Sequence, residues 1–222
     1  ARELSIKRFV HTSTSEVYGT AEYVPIDEKH PLKGQSPYSA SKIAADQLVY
    51  SFFSSFNLPI VTVRPFNTYG PRQSARAIIP TVISQILANK KNIKLGSIHP
   101  TRDFSYISDT VNGFLKVLES NKGLGETVNL GNNFEISIEQ TVNLIADIMN
   151  YKLNIKTDIS RQRPKKSEVE RLWSDNSKAY NLFGWRAKYR GKEGLNKGLI
   201  KTIDWFSEGK NFEMYKSDIY NL

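Results

Sequence analysis

Lys7-Arg8-Phe9-Val10-His11-Thr12-Ser13, a helical stretch from Tyr38 to Phe56, and Ile60-Val61-Thr62-Val63-Arg64 together decide the fold. The first segment is a short β-type run that ends in hydroxyls. Between it and the helix, Val24–Pro37 is rich in Pro, Lys and Gly and reads as a loop. Ser36-Pro37 marks the helix start, because a proline in the first turn lacks only a donor that has no partner there anyway. Ile43, Gln47, Tyr50 and Phe53 recur near one helical face, and Asn57-Leu58-Pro59 stops the helix. Strand, helix, strand in that order is a βαβ unit and predicts a parallel sheet covered by helices.

Working outward, the sequence predicts helices around Ala75–Asn89, Asp109–Leu118, Ile138–Asn150, Asn176–Phe183 and Glu193–Ser207. Pro80 fits the first of these near its start or at a kink. Ser137-Ile138-Glu139-Gln140 is a capping-box start, and Gly184 closes the helix before it. Short strands are expected at Arg102–Ile107 and Glu126–Leu130, and a turn at Thr68–Gly70. Ala1-Arg2-Glu3-Leu4 reads as the tail of a helix. No repeat or flexible linker interrupts the chain.

Arginine and lysine outnumber aspartate and glutamate by 31 to 22, a net charge of +9. The basic residues are scattered rather than interleaved with aromatics, which argues for a site that binds an anionic ligand and against a nucleic-acid platform. The densest basic run, Arg161-Gln162-Arg163-Pro164-Lys165-Lys166, suits a phosphate-gripping loop. Zero cysteines exclude disulfides and thiolate zinc sites and fit a cytoplasmic setting. His11, His30 and His99 lack metal-ligand spacing, so no metal is expected, and no apolar run is long enough to cross a membrane.

Tyr38 and Lys42, four residues apart, share a helical face. A phenol titrates near pH 10, so lowering it by ~3 units requires ~4 kcal/mol of preferential phenolate stabilisation. A neighbouring ammonium supplies part of that, and a positively charged nicotinamide more. The strand end Thr12-Ser13-Thr14-Ser15-Glu16-Val17-Tyr18-Gly19 faces the crevice where open α/β sheets bind ligands. There Thr14 is placed to hydrogen-bond a substrate hydroxyl and Glu16 to move a proton. The alternative for Thr14 is that it satisfies backbone groups in a turn.

Ser13-Thr14-Ser15-Glu16-Val17-Tyr18-Gly19, Pro37-Tyr38-Ser39-Ala40-Ser41-Lys42 and Arg64-Pro65-Phe66-Asn67-Thr68-Tyr69-Gly70-Pro71 resemble the extended short-chain dehydrogenase/reductase superfamily. Arg102-Asp103-Phe104-Ser105-Tyr106-Ile107 and Ser174-Asp175-Asn176-Ser177-Lys178-Ala179 extend the resemblance over nearly the whole chain. Within it, Gly70–Arg76, Ser97–Asp103 and Ser167–Leu172 look like nucleotide-sugar 4,6-dehydratases of the legionaminic-acid branch, which act on nucleoside-diphosphate N-acetylglucosamine. The resemblance implies the C-terminal part of a Rossmann-like doubly wound parallel sheet plus a smaller mixed α/β lobe. Residues 1–72 would complete an NAD-binding domain, and 73–222 would be mainly the nucleotide-sugar lobe, with about 100–135 returning to the first.

The resemblance also implies roles. NAD would meet Thr12, Ser13, Tyr38, Lys42 and Pro65. Tyr38 would take the C4 hydroxyl proton and Thr14 orient the C4 oxygen. Glu16, aided by Ser15, would remove the C5 proton and assist loss of the C6 hydroxyl. In dTDP-glucose dehydratases an aspartate stands where this chain has Ser15, so Glu16 is expected to carry both transfers. Asn67, Pro80, Arg102, Arg163 and Glu168 would bind the nucleotide sugar. The alternative for Arg102 is a surface salt bridge with Asp103, and for Asn67 the shaping of the turn that follows it. A homodimer through the Tyr38 helix is expected, with Tyr50, Phe52, Phe53 and Phe56 either at the interface or in the core.

No G-x-G-x-x-G phosphate cradle occurs in the chain. Gly123-x-Gly125 precedes a strand. By comparison with the family, the strands that would carry the cradle are missing, so the chain is expected to be N-terminally truncated and inactive alone. A UDP-glucuronate decarboxylase, a C4 epimerase and a non-catalytic nucleotide-sugar binder remain alternatives.

Overall fold

The computed structural model describes residues 1–215. Strand β1 (Phe9–Thr12) is followed by a 3₁₀ turn (Ser15–Tyr18), helix α1 (Pro37–Phe56) and strand β2 (Ile60–Pro65). β1 pairs in parallel with β2, and β2 in parallel with β6 (Thr127–Leu130). The sheet order is therefore β1-β2-β6, a Rossmann-like arrangement with helices packed on the strands. Ser36 caps α1 by accepting from the Ser39 amide, and Ser39 returns the bond to the Ser36 amide. Such a box contributes about 1 kcal/mol. Asn57 ends the helix in the left-handed conformation.

β2 is buried over its first five residues, as a parallel strand covered on both faces must be. Its alternation sends Val61 and Val63 into an apolar cluster with Val128, Leu130, Val117 and Trp185. Thr62 and Arg64 point the other way, towards α1. Gly125 enters β6 at φ +78, and a Cβ there would lie 2.3 Å from the Phe53 ring, so glycine is required by both backbone and space.

β2 ends at Pro65; Phe66 donates its amide to the Leu130 carbonyl at 2.8 Å, and strand β3 (Asn67–Tyr69) begins at once. The expected turn at Thr68 is thus a strand. β3 pairs in parallel with β5 (Thr101–Tyr106), which pairs antiparallel with β7 (Glu135–Ser137). β4 (Ile93–Leu95) and β8 (Ile155–Thr157) form a third, two-stranded parallel unit.

Helix α2 (Ile78–Leu87) starts three residues later than the sequence predicts. The Thr81 hydroxyl donates to the Ala75 and Ala77 carbonyls, and Pro80 occupies the first turn, where its missing N–H costs nothing. With α4 (Ile138–Ile148) and α6 (Gly191–Ser207), α2 builds the larger core, in which Ile79, Val82, Ile83, Val142, Ile145, Leu195, Leu199 and Phe206 are fully buried. Each such side chain contributes roughly 1.5–3 kcal/mol. α3 (Ile107–Glu119) packs on β1 and β2, beside α5 (Ser177–Phe183), which Gly184 closes in the left-handed conformation. Short α7 (Gly209–Phe212) follows α6.

The expected helix tail at Ala1–Leu4 is a turn instead, closed by the Leu4 amide on the Ala1 carbonyl at 3.2 Å. Ser5 follows it at φ +44, outside the helical region. Among the described residues, no helix is long and apolar enough to cross a membrane.

Candidate active site

The strand end after β1 turns sharply because Thr14, extended at φ −159, caps the 3₁₀ turn: its Oγ1 accepts from the Glu16 amide at 3.2 Å. That bond uses the hydroxyl as acceptor and leaves its proton free to donate. Ser15 is buried beneath the turn, Glu16 is half-buried, and Gly19 closes it at φ +65.

α1 presents Tyr38 and Lys42 beside this turn. Lys42 Nζ donates to the Thr12 carbonyl at 3.1 Å, which fastens the helix to the end of β1. Tyr38 is 51% exposed. Ser13 is buried, Thr12 is exposed, and Pro65 is half-buried at the end of β2.

A cleft of about 370 Å³ lies next to the turn. Glu16 from the 3₁₀ turn, Asn67 from β3, Arg102 and Phe104 from β5, and Arg163 and Glu168 from the segment after β8 all line it. Five residues expected to act together from the sequence (Glu16, Asn67, Arg102, Arg163 and Glu168) therefore share one cavity. Pro80 does not line it: its ring is buried in α2, while Ala77, Ile78 and Thr81 face the cleft. Tyr38, Lys42, Thr12, Ser13, Thr14, Ser15 and Pro65 lie outside the cleft lining.

Arg102 does not pair with Asp103. Its Nη2 donates to Glu168 Oε1 at 3.3 Å and its Nη1 to the Thr101 carbonyl at 2.8 Å. Burial pushes the Arg102 guanidinium down; Glu168 and Glu16 counter that, and Arg163 adds to it. Asp103 faces the opposite side of β5, wholly buried, and accepts from the Ser174 hydroxyl at 2.5 Å, the Ser174 amide at 3.1 Å and the Asn132 amide at 2.7 Å. Alternation along β5 separates the two neighbours.

The cleft also contains Gln73 and Arg76, which the sequence did not single out as ligands, and Arg161 of the basic run read as phosphate-gripping. Arg76 and Arg161 raise the lining to four arginines against two glutamates, an excess positive charge suited to a diphosphate. Gln73 is anchored through its Nε2 to the Thr68 carbonyl at 2.9 Å. Glu168 is held through its backbone: its carbonyl accepts from Gln35 Nε2 at 3.4 Å and from the Thr20 hydroxyl at 3.5 Å. The available signal for Arg76 was its place in the Gly70–Arg76 stretch, five residues after Pro71.

A parallel sheet whose hydroxyl-bearing strand end meets a Tyr-x-x-x-Lys helix, beside an arginine-lined cleft, is a Rossmann-like fold of the short-chain dehydrogenase/reductase kind. The family model described as GDP-mannose 4,6 dehydratase matches residues 1–198, and the chain belongs to that family. It is 34% identical over 220 residues to a dTDP-D-glucose 4,6-dehydratase of Homo sapiens, covering 98% of this chain and 61% of the relative. It is 37% identical over 208 residues to an uncharacterized UDP-glucose epimerase of Bacillus subtilis, covering 93% of this chain and 62% of the relative. Among solved structures, UDP-glucuronic acid 4-epimerase from Bacillus cereus in complex with UDP-glucuronic acid and NAD superposes with a TM-score of 0.84 at 28% identity, covering 96% of this chain and 64% of that one. The chain spans about three fifths of the length of these relatives.

Proposed function

We propose that the protein dehydrates a nucleoside-diphosphate N-acetylglucosamine, with UDP or GDP as the nucleoside diphosphate, to its 4-keto-6-deoxy sugar with NAD. The reading rests above all on one observation: the Glu16 carboxylate lines the same cleft as Arg102, Arg163 and Asn67. An epimerase that leaves C5 untouched has no use for a carboxylate there.

NAD fits the residues at the β1 end. Lys42, spending one N–H on Thr12, keeps two for ribose hydroxyls, and Tyr38 is exposed beside it. Thr12, Ser13 and Pro65 complete that side. When bound, NAD would supply a reversible hydride acceptor for the sugar's C4 and C6 positions. The chain's own residues move the protons. Tyr38, as the phenolate, takes the proton of the C4 hydroxyl, and Lys42 stabilises that phenolate before the transfer. Thr14 directs its free hydroxyl proton at the C4 oxygen. Glu16 removes the C5 proton, made acidic by the C4 ketone, and delivers it to the departing C6 hydroxyl, so that water leaves; buried Ser15 supports the turn that aims it. When C6 of the resulting enone is reduced, Glu16 passes a solvent proton to C5 and Tyr38 releases its proton to solvent, so that no net oxidation occurs. Arg102 and Arg163 bind the two phosphates, Asn67 lies against them, and Glu168 accepts from ribose hydroxyls.

The same reading carries the legionaminic-type branch, a homodimer through α1 and a cytoplasmic location, with residues 1–72 serving mainly the cofactor and 73–222 mainly the sugar nucleotide. It also implies that these 222 residues by themselves bind NAD weakly, because they contain no Gly-rich phosphate cradle. The test is incubation of the full-length protein and NAD with UDP-N-acetylglucosamine, GDP-N-acetylglucosamine and UDP-glucuronate. A 4-keto-6-deoxy product from either N-acetylglucosamine nucleotide is expected. Release of CO₂ from UDP-glucuronate, or a C4 epimer without a keto-deoxy product, overturns the proposal.

A further inference from the structure

Helix α1 carries the reactive pair, yet of its 20 residues only Ser39 and Asp46 are fully buried. Leu48, Tyr50 and Phe56 are exposed, and a cavity of about 90 Å³ opens between the helix and β2, beside Asp46, Arg64 and Phe53. Ile43 packs on the cluster around Tyr18 and Phe66, and Phe53 on Gly125, so the apolar contacts of the helix to the sheet are few. Ser39 belongs to the N-terminal cap, which leaves Asp46 as the buried anchor along the helix body.

Asp46 lies two turns beyond Tyr38 and one beyond Lys42, on the same face. Its Oδ2 accepts from Arg64 Nε at 3.1 Å and Arg64 Nη2 at 2.8 Å, a two-pronged pair between side chains that are 6% and 4% exposed. Its Oδ1 meets His11 Nε2 of β1 at 3.0 Å. The third Arg64 nitrogen, Nη1, donates to the Tyr18 hydroxyl at 3.0 Å, and that hydroxyl donates to Asn129 Oδ1 of β6 at 2.8 Å. Tyr18 is the last residue of the 3₁₀ turn that begins at Ser15 and holds Glu16. Arg64 itself sits on β2, three residues before Asn67.

One guanidinium thus touches the helix of Tyr38 and Lys42 and the turn of Thr14 and Glu16, and is built into the strand that leads to Asn67. We propose that Arg64 is a positioning residue that sets the Glu16 turn in register with the Tyr38–Lys42 helix, acting through Asp46 on one side and the Tyr18 hydroxyl on the other. The fork is rigid and planar, so its three bonds fix direction as well as distance. A buried charge pair is weak evidence for stability, because its desolvation cost is comparable to its attraction. Setting geometry at a site where misplacement by about 1 Å costs roughly 100-fold in rate is a sufficient reason to keep it.

The consequence for rate rests on the dehydration reading; the structural coupling does not. The test uses the full-length protein with NAD bound. Tyr18→Phe keeps the ring and removes only the hydroxyl, and the double variant Asp46→Leu/Arg64→Met replaces the pair by apolar groups of similar size, which is tolerated in other buried pairs. Amide hydrogen exchange, measured without substrate, is expected to quicken in both variants at residues 14–18 and in the first turns of α1 together. With the dehydration substrate, kcat is expected to fall roughly 10- to 100-fold at unchanged KM. Faster exchange confined to the 3₁₀ turn in Tyr18→Phe, or wild-type kcat in the folded double variant, overturns the proposal. A wild-type protein that makes no keto-deoxy sugar overturns the dehydration reading alone, because the exchange data still judge the coupling.

Discussion

The Lys42 ammonium rests on the Thr12 carbonyl, 3.1 Å away, so the cation is held at the mouth of the strand end instead of swinging free in solvent. One backbone oxygen thereby selects, from the many rotamers of a long side chain, those that keep the ammonium at the end of β1. The entropy of ordering a lysine, up to about 2 kcal/mol, is offset here before any ligand arrives.

Removing the phenol separates chemistry from binding. Tyr38→Phe is expected to lower kcat by about 100-fold or more, the scale of positioned acid–base catalysis, while leaving the affinity for UDP unchanged. Steady-state kinetics paired with calorimetric titration of UDP check this. Turnover equal to wild type would remove Tyr38 from the mechanism.

Glu16→Gln addresses the step after oxidation. The variant is expected to oxidise C4 and accumulate NADH, seen by its near-ultraviolet absorbance, yet to incorporate no solvent deuterium at C5. Exchange at C5 that continues at the wild-type rate assigns that proton to another group.

Arg102→Lys retains the charge but loses the fork that meets Glu168. Hydrogen bonds to charged partners are worth about 1.5–3 kcal/mol, so UDP affinity is expected to weaken by roughly 10- to 100-fold. Calorimetry with UDP alone reads this directly, and unchanged affinity counts against a phosphate role for Arg102.

Asp103 gives a pH signature of folding. Burial raises its pKa to about 6, against the opposing donations from Ser174 and Asn132. Because the folded value exceeds the unfolded one, stability is greatest below the unfolded pKa, near pH 4. It falls as pH rises to about 6, by a total on the order of 3 kcal/mol. Asp103→Asn removes this slope, although its amide protons face the Ser174 amide and lower stability at every pH. Denaturant midpoints for both proteins across that range are expected to differ in slope as well as in offset; parallel profiles contradict the assignment.

The central βαβ unit was legible because each element announces itself. Ser36-Pro37 starts α1, Asn57 ends it, and the apolar run Ile60–Val63 is long enough to read as buried strand. β3, β4, β7 and β8 were not legible: each is three residues long, too short for alternation to emerge, and Asn67–Tyr69 resembles a turn as much as a strand. Glu16, Asn67, Arg102, Arg163 and Glu168 were found through motif resemblance, and the structure gathers them in one cleft. Their contacts were hidden. Arg102 prefers a partner 66 residues away to its neighbour Asp103, because successive strand residues point to opposite faces. Arg64 read as one more residue of a buried strand, since nothing local tells that its partners lie on α1 and beside Glu16.

The passage from β2 to β3 limits how this molecule can move. Phe66 alone separates the two strands; it is 2% exposed and its amide is already bonded to Leu130. A hinge needs a few residues free to change their backbone angles, and here there are none. Asn67, on the far side of Phe66, is therefore tied to β2 without slack, and the cleft wall that it forms cannot shift apart from the sheet that carries Arg64.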